Sequence, residues 1–170
     1  GADVLLEAFA RVVRVLPSAR LLIAGEGPER ERLQSRASQP DLQGKVQILG
    51  AVKPDAQAHA FRQAAVQVVP STWAEPFGIV AVEAMARGQA VIASHHGGLA
   101  EIVVDGQTGL LVPPADAHAL SRAMLRLLEN PQRARQMGQA GHQRVTKEFS
   151  LDRFTDRFLA LYDELVTRPE

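Results

Sequence analysis

The sequence has no cysteine and only one tryptophan and one tyrosine. It has no excess of either charge and no long apolar run. Without cysteine there is no disulfide framework, no thiolate zinc site and no cysteine nucleophile. Lys plus Arg and Asp plus Glu number 19 each, so net charge gives no electrostatic reason to expect a nucleic-acid partner. No stretch approaches the ~20 apolar residues that span a bilayer, and no secretory leader is legible. The expectation is a soluble, cytoplasmic protein. Internal repeats, low-complexity tracts and Pro/Ser-rich linkers are also missing, which argues against a boundary inside the chain. What remains is 170 residues, 46% hydrophobic and 22% charged, the size and composition of one globular domain.

Short apolar runs alternate with helical periodicity. Strands are expected at 19–25, 45–50, 66–71, 90–94 and 109–113. Helices are expected at 3–16, 27–37, 55–64, 78–88, 99–103, 116–130, 131–148 and 150–166. The strands are apolar throughout rather than alternating, the pattern of a parallel sheet covered on both faces. The fold class is therefore α/β, a Rossmann-like, doubly wound, mainly parallel sheet. Ligands of such sheets bind outside the carboxyl ends of the strands, here Gly25, Gly50, Ser71 and Ser94. The sequence opens on a helix where a doubly wound domain has a central strand, so the first strand is expected upstream of Gly1.

At 71–88, "STWAEPFGIVAVEAMARG", Glu75 precedes a helix and Glu83 lies just inside it. A helix beginning near Gly78 leaves the amides of Phe77, Gly78 and Ile79 unpaired, and with the dipole they form an anion site. Glu83 follows Ile79 by four residues and shares its face. Two ionised carboxylates accept hydrogen bonds from pairs of hydroxyls. Carboxylates around a phosphate-sized site suit a nucleotide-sugar. They equally suit a helix start stabilised by nearby acids, and spacing alone leaves both readings open. The turn Gly25-Glu26-Gly27 can also admit a phosphate. It is a weak signal, because Arg30 stands where a dinucleotide fingerprint has its third glycine.

"GADVLLEAFARV", "LLIAGEGPE", "VQILGAV", "VVPSTWAEPFGIVAVEAMARGQAVIAS" and "GGLAEIVVDGQTGLLVPP" together resemble the C-terminal, donor-binding half of a family 4 (group 1) retaining glycosyltransferase. Glu-Pro-Phe-Gly-x-x-x-x-Glu is the most specific of these stretches. The resemblance implies a GT-B enzyme, two Rossmann-like domains facing a cleft, with no metal and no cofactor beyond a nucleoside diphosphate sugar as donor substrate. It implies that Glu75 contacts the reacting hexose and that the amides of Phe77, Gly78 and Ile79 meet sugar and diphosphate. Glu83 would hold the ribose hydroxyls, Val52 and Lys53 would border the base, and Ser71, Gly25 and Gly27 would line the pocket. Similar enzymes carry an arginine and a lysine just before the position matching Gly1. Both cations and the acceptor domain are thus expected upstream, with any peripheral membrane contact confined to that domain. Residues 1–170 are then one donor-binding domain, inactive alone. The alternative is a stand-alone nucleotide-binding or interaction module.

Of the remaining residues, His95 and His96 read as surface histidines and Trp73 as an apolar anchor for its loop. Arg32, Arg36 and Lys45 read as solvated charges. Phe154, Phe158, Leu161, Tyr162 and Leu165 form a helical stripe, expected to be partly bare and available for dimerisation.

Overall fold

The computed structural model describes residues 1–52, 61 and 63–167. Their order is α1 (Ala2–Val15), β1 (Leu21–Ala24), α2 (Arg30–Ala37), β2 (Val46–Gly50), β3 (Val66–Val69), α3 (Ile79–Ala86), β4 (Ala90–Ser94), α4 (Leu99–Ile102), β5 (Gly109–Val112), α5 (Ala117–Leu128), α6 (Pro131–Glu148) and α7 (Leu151–Thr167). Every strand pairing between them is parallel, and all five expected strands form. The expected helix at 55–64 falls mostly outside the described residues.

β4 shows why the strands are apolar throughout. All five of its residues are buried. Ala90 and Ile92 turn into a core shared with α1 and α5, while Val91 and Ala93 turn into a second core with α3 and α4. Side chains alternate across a strand, so a strand covered on both faces needs apolar residues at every position.

The five strands do not form one continuous ladder. β1 pairs with β2, and β3–β4–β5 form a second set, with no pairing between β1 and β3 among the described residues. Several boundaries also differ from expectation, two of them for clear reasons. α2 starts at Arg30 rather than at 27, because the Arg30 amide bonds back to the Gly27 carbonyl at 3.2 Å and closes a turn first. β3 ends at Val69 rather than Ser71, since Pro70 has no amide to continue the ladder.

The chain's charges do more than face solvent. Half-buried Arg36 donates to Asp41 at 2.9 and 3.0 Å and to Glu7 at 2.7 Å, tying α2 to α1 and to the turn before β2. Arg32 pairs with Glu29 and Asp3, and Lys45 donates to the Pro17 carbonyl. The reading of Arg36 and Lys45 as merely solvated is corrected, while Arg32 is 59% exposed and stays a solvated charge. Arg36 holds the α1–α2 side together because the turn at 38–44 returns to that surface. Trp73 is corrected too. It is 61% exposed rather than buried under its loop.

Candidate functional site

The candidate site lies where strand ends meet helix starts. Gly78 caps α3 with φ 99° and ψ 53°, a left-handed conformation that other residues adopt only with strain. Leu99 fills the space against it, and a side-chain carbon there would come within 2.6 Å of that leucine. The Gly78 carbonyl accepts from Ala81 at 2.9 Å and Val82 at 3.4 Å, closing the first turn. The amides of Phe77, Gly78, Ile79 and Val80 have no intramolecular partner among the described bonds. Val80 adds a fourth open amide to the expected three, because the helix begins one residue later than its apolar pattern. Ile79 and Val80 are exposed, so this end of α3 faces outward.

Glu75 is half-buried in the preceding loop. Its carboxylate accepts a hydrogen bond from the Ser71 hydroxyl, joining two expected site residues. Its carbonyl accepts from the Gly98 amide at 2.8 Å. Gly97 and Gly98 form the floor under this loop. A side-chain carbon on Gly97 would lie 2.5 Å from the Glu75 carbonyl oxygen, and one on Gly98 would lie 2.5 Å from that of Phe77. The Phe77 ring meets Phe149 edge-on at 5.9 Å, fixing the loop against the end of α6. These supports escaped the sequence reading, in which Gly97 and Gly98 appear only within the stretch GGLAEIVVDGQTGLLVPP. A signal was present, since two adjacent glycines after a buried strand allow close backbone approach.

Glu83 sits on the second turn of α3, with its side chain 50% exposed and an Arg87 nitrogen 4.0 Å away. That pair is long and solvated, so the carboxylate remains able to accept other donors. Arg87 is itself held over the Phe61 ring at 5.6 Å and bonded to Gln89 at 3.2 Å.

The other expected residues gather on the β1–β2 side. The Gly25 amide donates to the Gly50 carbonyl at 2.9 Å. Glu26 accepts from Arg30 and from the Ala51 amide, at 3.1 Å for the latter. Those donors, Arg30 first, hold the Glu26 carboxyl below its ordinary pKa. The turn holding Gly25 and Gly27 is thereby clipped to the loop that leads to Val52. Lys53 lies outside the described residues. No described contact joins this group to Ser71, Glu75 and Gly78, although both lie at carboxyl ends of parallel strands.

His95 is exposed and His96 half-buried, and no metal-binding cluster of His, Asp or Glu occurs among the described residues. No helix among them is long and apolar enough to cross a membrane.

Parallel strands with helices on both faces, and a glycine-capped helix start at their carboxyl ends, define a Rossmann-like domain of the GT-B glycosyltransferase type. The chain belongs to the Glycosyl transferases group 1 family, whose pattern matches residues 1–144. It is 41% identical over 132 residues to the phosphatidyl-myo-inositol mannosyltransferase of Mycolicibacterium smegmatis, covering 78% of this chain and 33% of that protein. Sucrose-phosphate synthase from Thermosynechococcus elongatus superimposes with a TM-score of 0.83 at 38% identity, over 95% of this chain and 42% of that one. Anabaena HepE in complex with UDP-glucose shares the fold, with a TM-score of 0.86 at 23% identity over 96% of this chain and 45% of that one. The chain spans about a third of the length of the mannosyltransferase and glycogen synthase relatives it matches.

Proposed function

We propose that residues 1–170 are the donor-binding domain of a larger, two-domain retaining glycosyltransferase. It would transfer a hexose from a nucleoside diphosphate sugar to a hydroxyl acceptor. One observation carries the reading. The Glu75-Pro-Phe-Gly-x-x-x-x-Glu83 segment wraps a left-handed glycine cap whose helix start presents open amides at the carboxyl end of a parallel sheet. In this reading Glu75, held by Ser71, meets the hexose hydroxyls, and Glu83 accepts from the ribose hydroxyls. The amides from Phe77 to Val80 receive the diphosphate.

The acceptor oxygen forms its bond to the anomeric carbon on the face from which the diphosphate departs. The sugar–phosphate bond breaks, and the leaving phosphate takes the electron pair and then the acceptor's proton. The helix amides act here because negative charge grows on that phosphate in the transition state. Gly25, Gly27, Val52 and Lys53 would border the base and the far side of the pocket. The named relatives act on different sugars, so hexose, base and acceptor are left as classes.

The test uses the full-length protein. Glu83→Gln replaces a double acceptor with a group that presents one amide donor. Nucleoside diphosphate affinity should drop about tenfold or more, since a hydrogen bond to a charged group contributes ~1.5–3 kcal/mol. Glu75→Gln should chiefly lower kcat. Titration calorimetry with UDP, GDP and ADP checks the first, and unchanged affinity would remove Glu83 from the ribose site. Turnover of full-length enzyme should survive a metal chelator. The 170-residue chain alone should bind such nucleotides weakly and transfer nothing.

A further inference from the structure

Arg144, on α6, stands behind the candidate site with every nitrogen of its guanidinium engaged. Nε donates to the Ile102 carbonyl at 3.0 Å and Nη2 to the Glu101 carbonyl at 2.9 Å, while Nη1 pairs with Glu148 at 2.8 Å. The same head lies over the Phe149 ring, 5.6 Å from its centroid and within cation–π range. Its side chain is 23% exposed, so solvent screens these contacts less than it would on the open surface.

Two routes lead from this head to the Glu75–Gly78 loop. The first runs through α4. A helix of four residues leaves its last carbonyls without helical partners, and Arg144 supplies two of the missing donors. α4 in turn carries the loop. Its cap Gly98 donates to the Glu75 carbonyl at 2.8 Å, and Leu99 fills the space against Gly78. The second route runs through Phe149, the residue that ends α6, whose ring meets Phe77 edge-on at 5.9 Å.

Both routes end on residues 75–78. α3 is seated by other means, since its Ala81, Ala84 and Met85 are buried in the second core. Lysine could not replace Arg144 here. A compact ammonium has no planar fork with which to reach two carbonyls and a carboxylate while lying on a ring.

We propose that Arg144 and Phe149 form a bracket that positions the Glu75–Gly78 loop for sugar transfer, Arg144 acting through the loop rather than on substrate. The proposal rests on the reading of that loop as the sugar end of a donor site. Its consequence is a division between turnover and binding. The bracket governs the loop that bears Glu75 and Phe77, whereas Glu83 and the open amides of Ile79 and Val80 ride on α3. Loosening the bracket therefore lowers turnover far more than nucleotide affinity. A displacement of ~1 Å at a reacting group can cost on the order of a hundredfold in rate.

The experiment uses the full-length protein with Arg144→Lys, Phe149→Leu, the double variant, and Arg133→Lys as control. Arg133 lies on the same helix and also donates to a backbone carbonyl, that of Gly106, on a turn outside the loop. Turnover is read as nucleoside diphosphate released from UDP-glucose, GDP-mannose or ADP-glucose, with water as acceptor. Calorimetry reads affinity for the matching diphosphate, and hydrogen exchange reads the Gly98 amide.

Arg144→Lys should lower turnover about tenfold or more, while affinity stays within about threefold. Gly98 exchange should quicken about tenfold as the loop lifts from its floor. Phe149→Leu should act in the same direction, and the double variant should lose less than the product of the single losses, because both act on one loop. Arg133→Lys should leave turnover and Gly98 exchange within about twofold of wild type. If Arg144→Lys does not fold, Phe149→Leu carries the same three readouts. Unchanged Gly98 exchange in the bracket variants would overturn the proposal. So would an equal loss of turnover in Arg133→Lys, or a loss of affinity as large as the loss of turnover. A wild type that cleaves none of the three donors would fail the transferase reading instead, and Gly98 exchange would still decide the bracket.

Discussion

Gly98 shows how a single missing carbon shapes the site. Its backbone is right-handed, so conformation alone would permit alanine. Space forbids it, because the added carbon would lie 2.5 Å from the Phe77 carbonyl oxygen. Backbone cannot swing aside as a flexible side chain can, so Gly98→Ala must shift either the 75–78 loop or α4. A cost of about 1–3 kcal/mol is expected, as for overpacking generally. Gly27→Ala, at a position with open space around it, should cost almost nothing. Urea unfolding of both variants checks the contrast, and equal midpoints would show that the loop floor is soft. Arg36 is the opposite kind of residue, a cation whose work lies in partners reached across the fold.

At the scale of elements, the starts of α5 and α6 are set by side chains that replace lost backbone bonds. Asp116 accepts from the His118 and Ala119 amides at 2.9 and 2.8 Å, and Asn130 accepts from that of Arg133 at 3.0 Å. The Ala119 bond above all holds the Asp116 carboxyl below its ordinary value. Arg36 does the same for Asp41. A carboxylate whose folded pKa is depressed contributes stability that is full above its unfolded pKa, ~3.9 for Asp, and lost as pH falls through the lower folded value. The melting temperature should therefore fall as pH is lowered from about 5 to about 2. Asp116→Asn keeps a capping oxygen without the titrating charge and should flatten part of that slope. Thermal melts across this range decide it, and an unchanged slope would leave Asp116 out of the acid response.

α7 is the element least tied to the rest. Its apolar stripe is bare, with Phe154 57%, Tyr162 59% and Leu165 55% exposed. Contacts between Phe154, Phe158 and Tyr162 stay within the helix. Phe158→Asp should leave the melting temperature of this chain within a degree or two, since no buried contact is lost. A fall comparable to a core truncation would mean that α7 packs on something, such as a second copy.

Across the whole molecule, two apolar cores cover the two faces of the sheet, and β4 belongs to both. This arrangement places every loop of the candidate site at one end of the strands. The Glu75–Gly78 loop rests on Gly97, Gly98 and Leu99, and the Gly25–Gly27 turn rests on the loop after β2. The two clusters are built from different strand sets and are held in one molecule by helices on the first core.

Strand identity, parallel direction and the glycine-capped start of α3 were legible in the sequence alone. They rest on local pattern: apolar runs between helical stretches, a glycine before a helix, and two glutamates around a Phe-Gly pair. Each is decided within a few residues by backbone freedom, burial and the dipole of one helix. The break between β1 and β3, the loop floor at Gly97-Gly98, the partners of Arg36 and the exposure of Trp73 were decided only in three dimensions. Each depends on what distant parts of the chain bring alongside. Glycine next to glycine reads as a turn until Phe77 is laid across it. An arginine reads as solvated until Glu7, 29 residues away in sequence, comes within 2.7 Å.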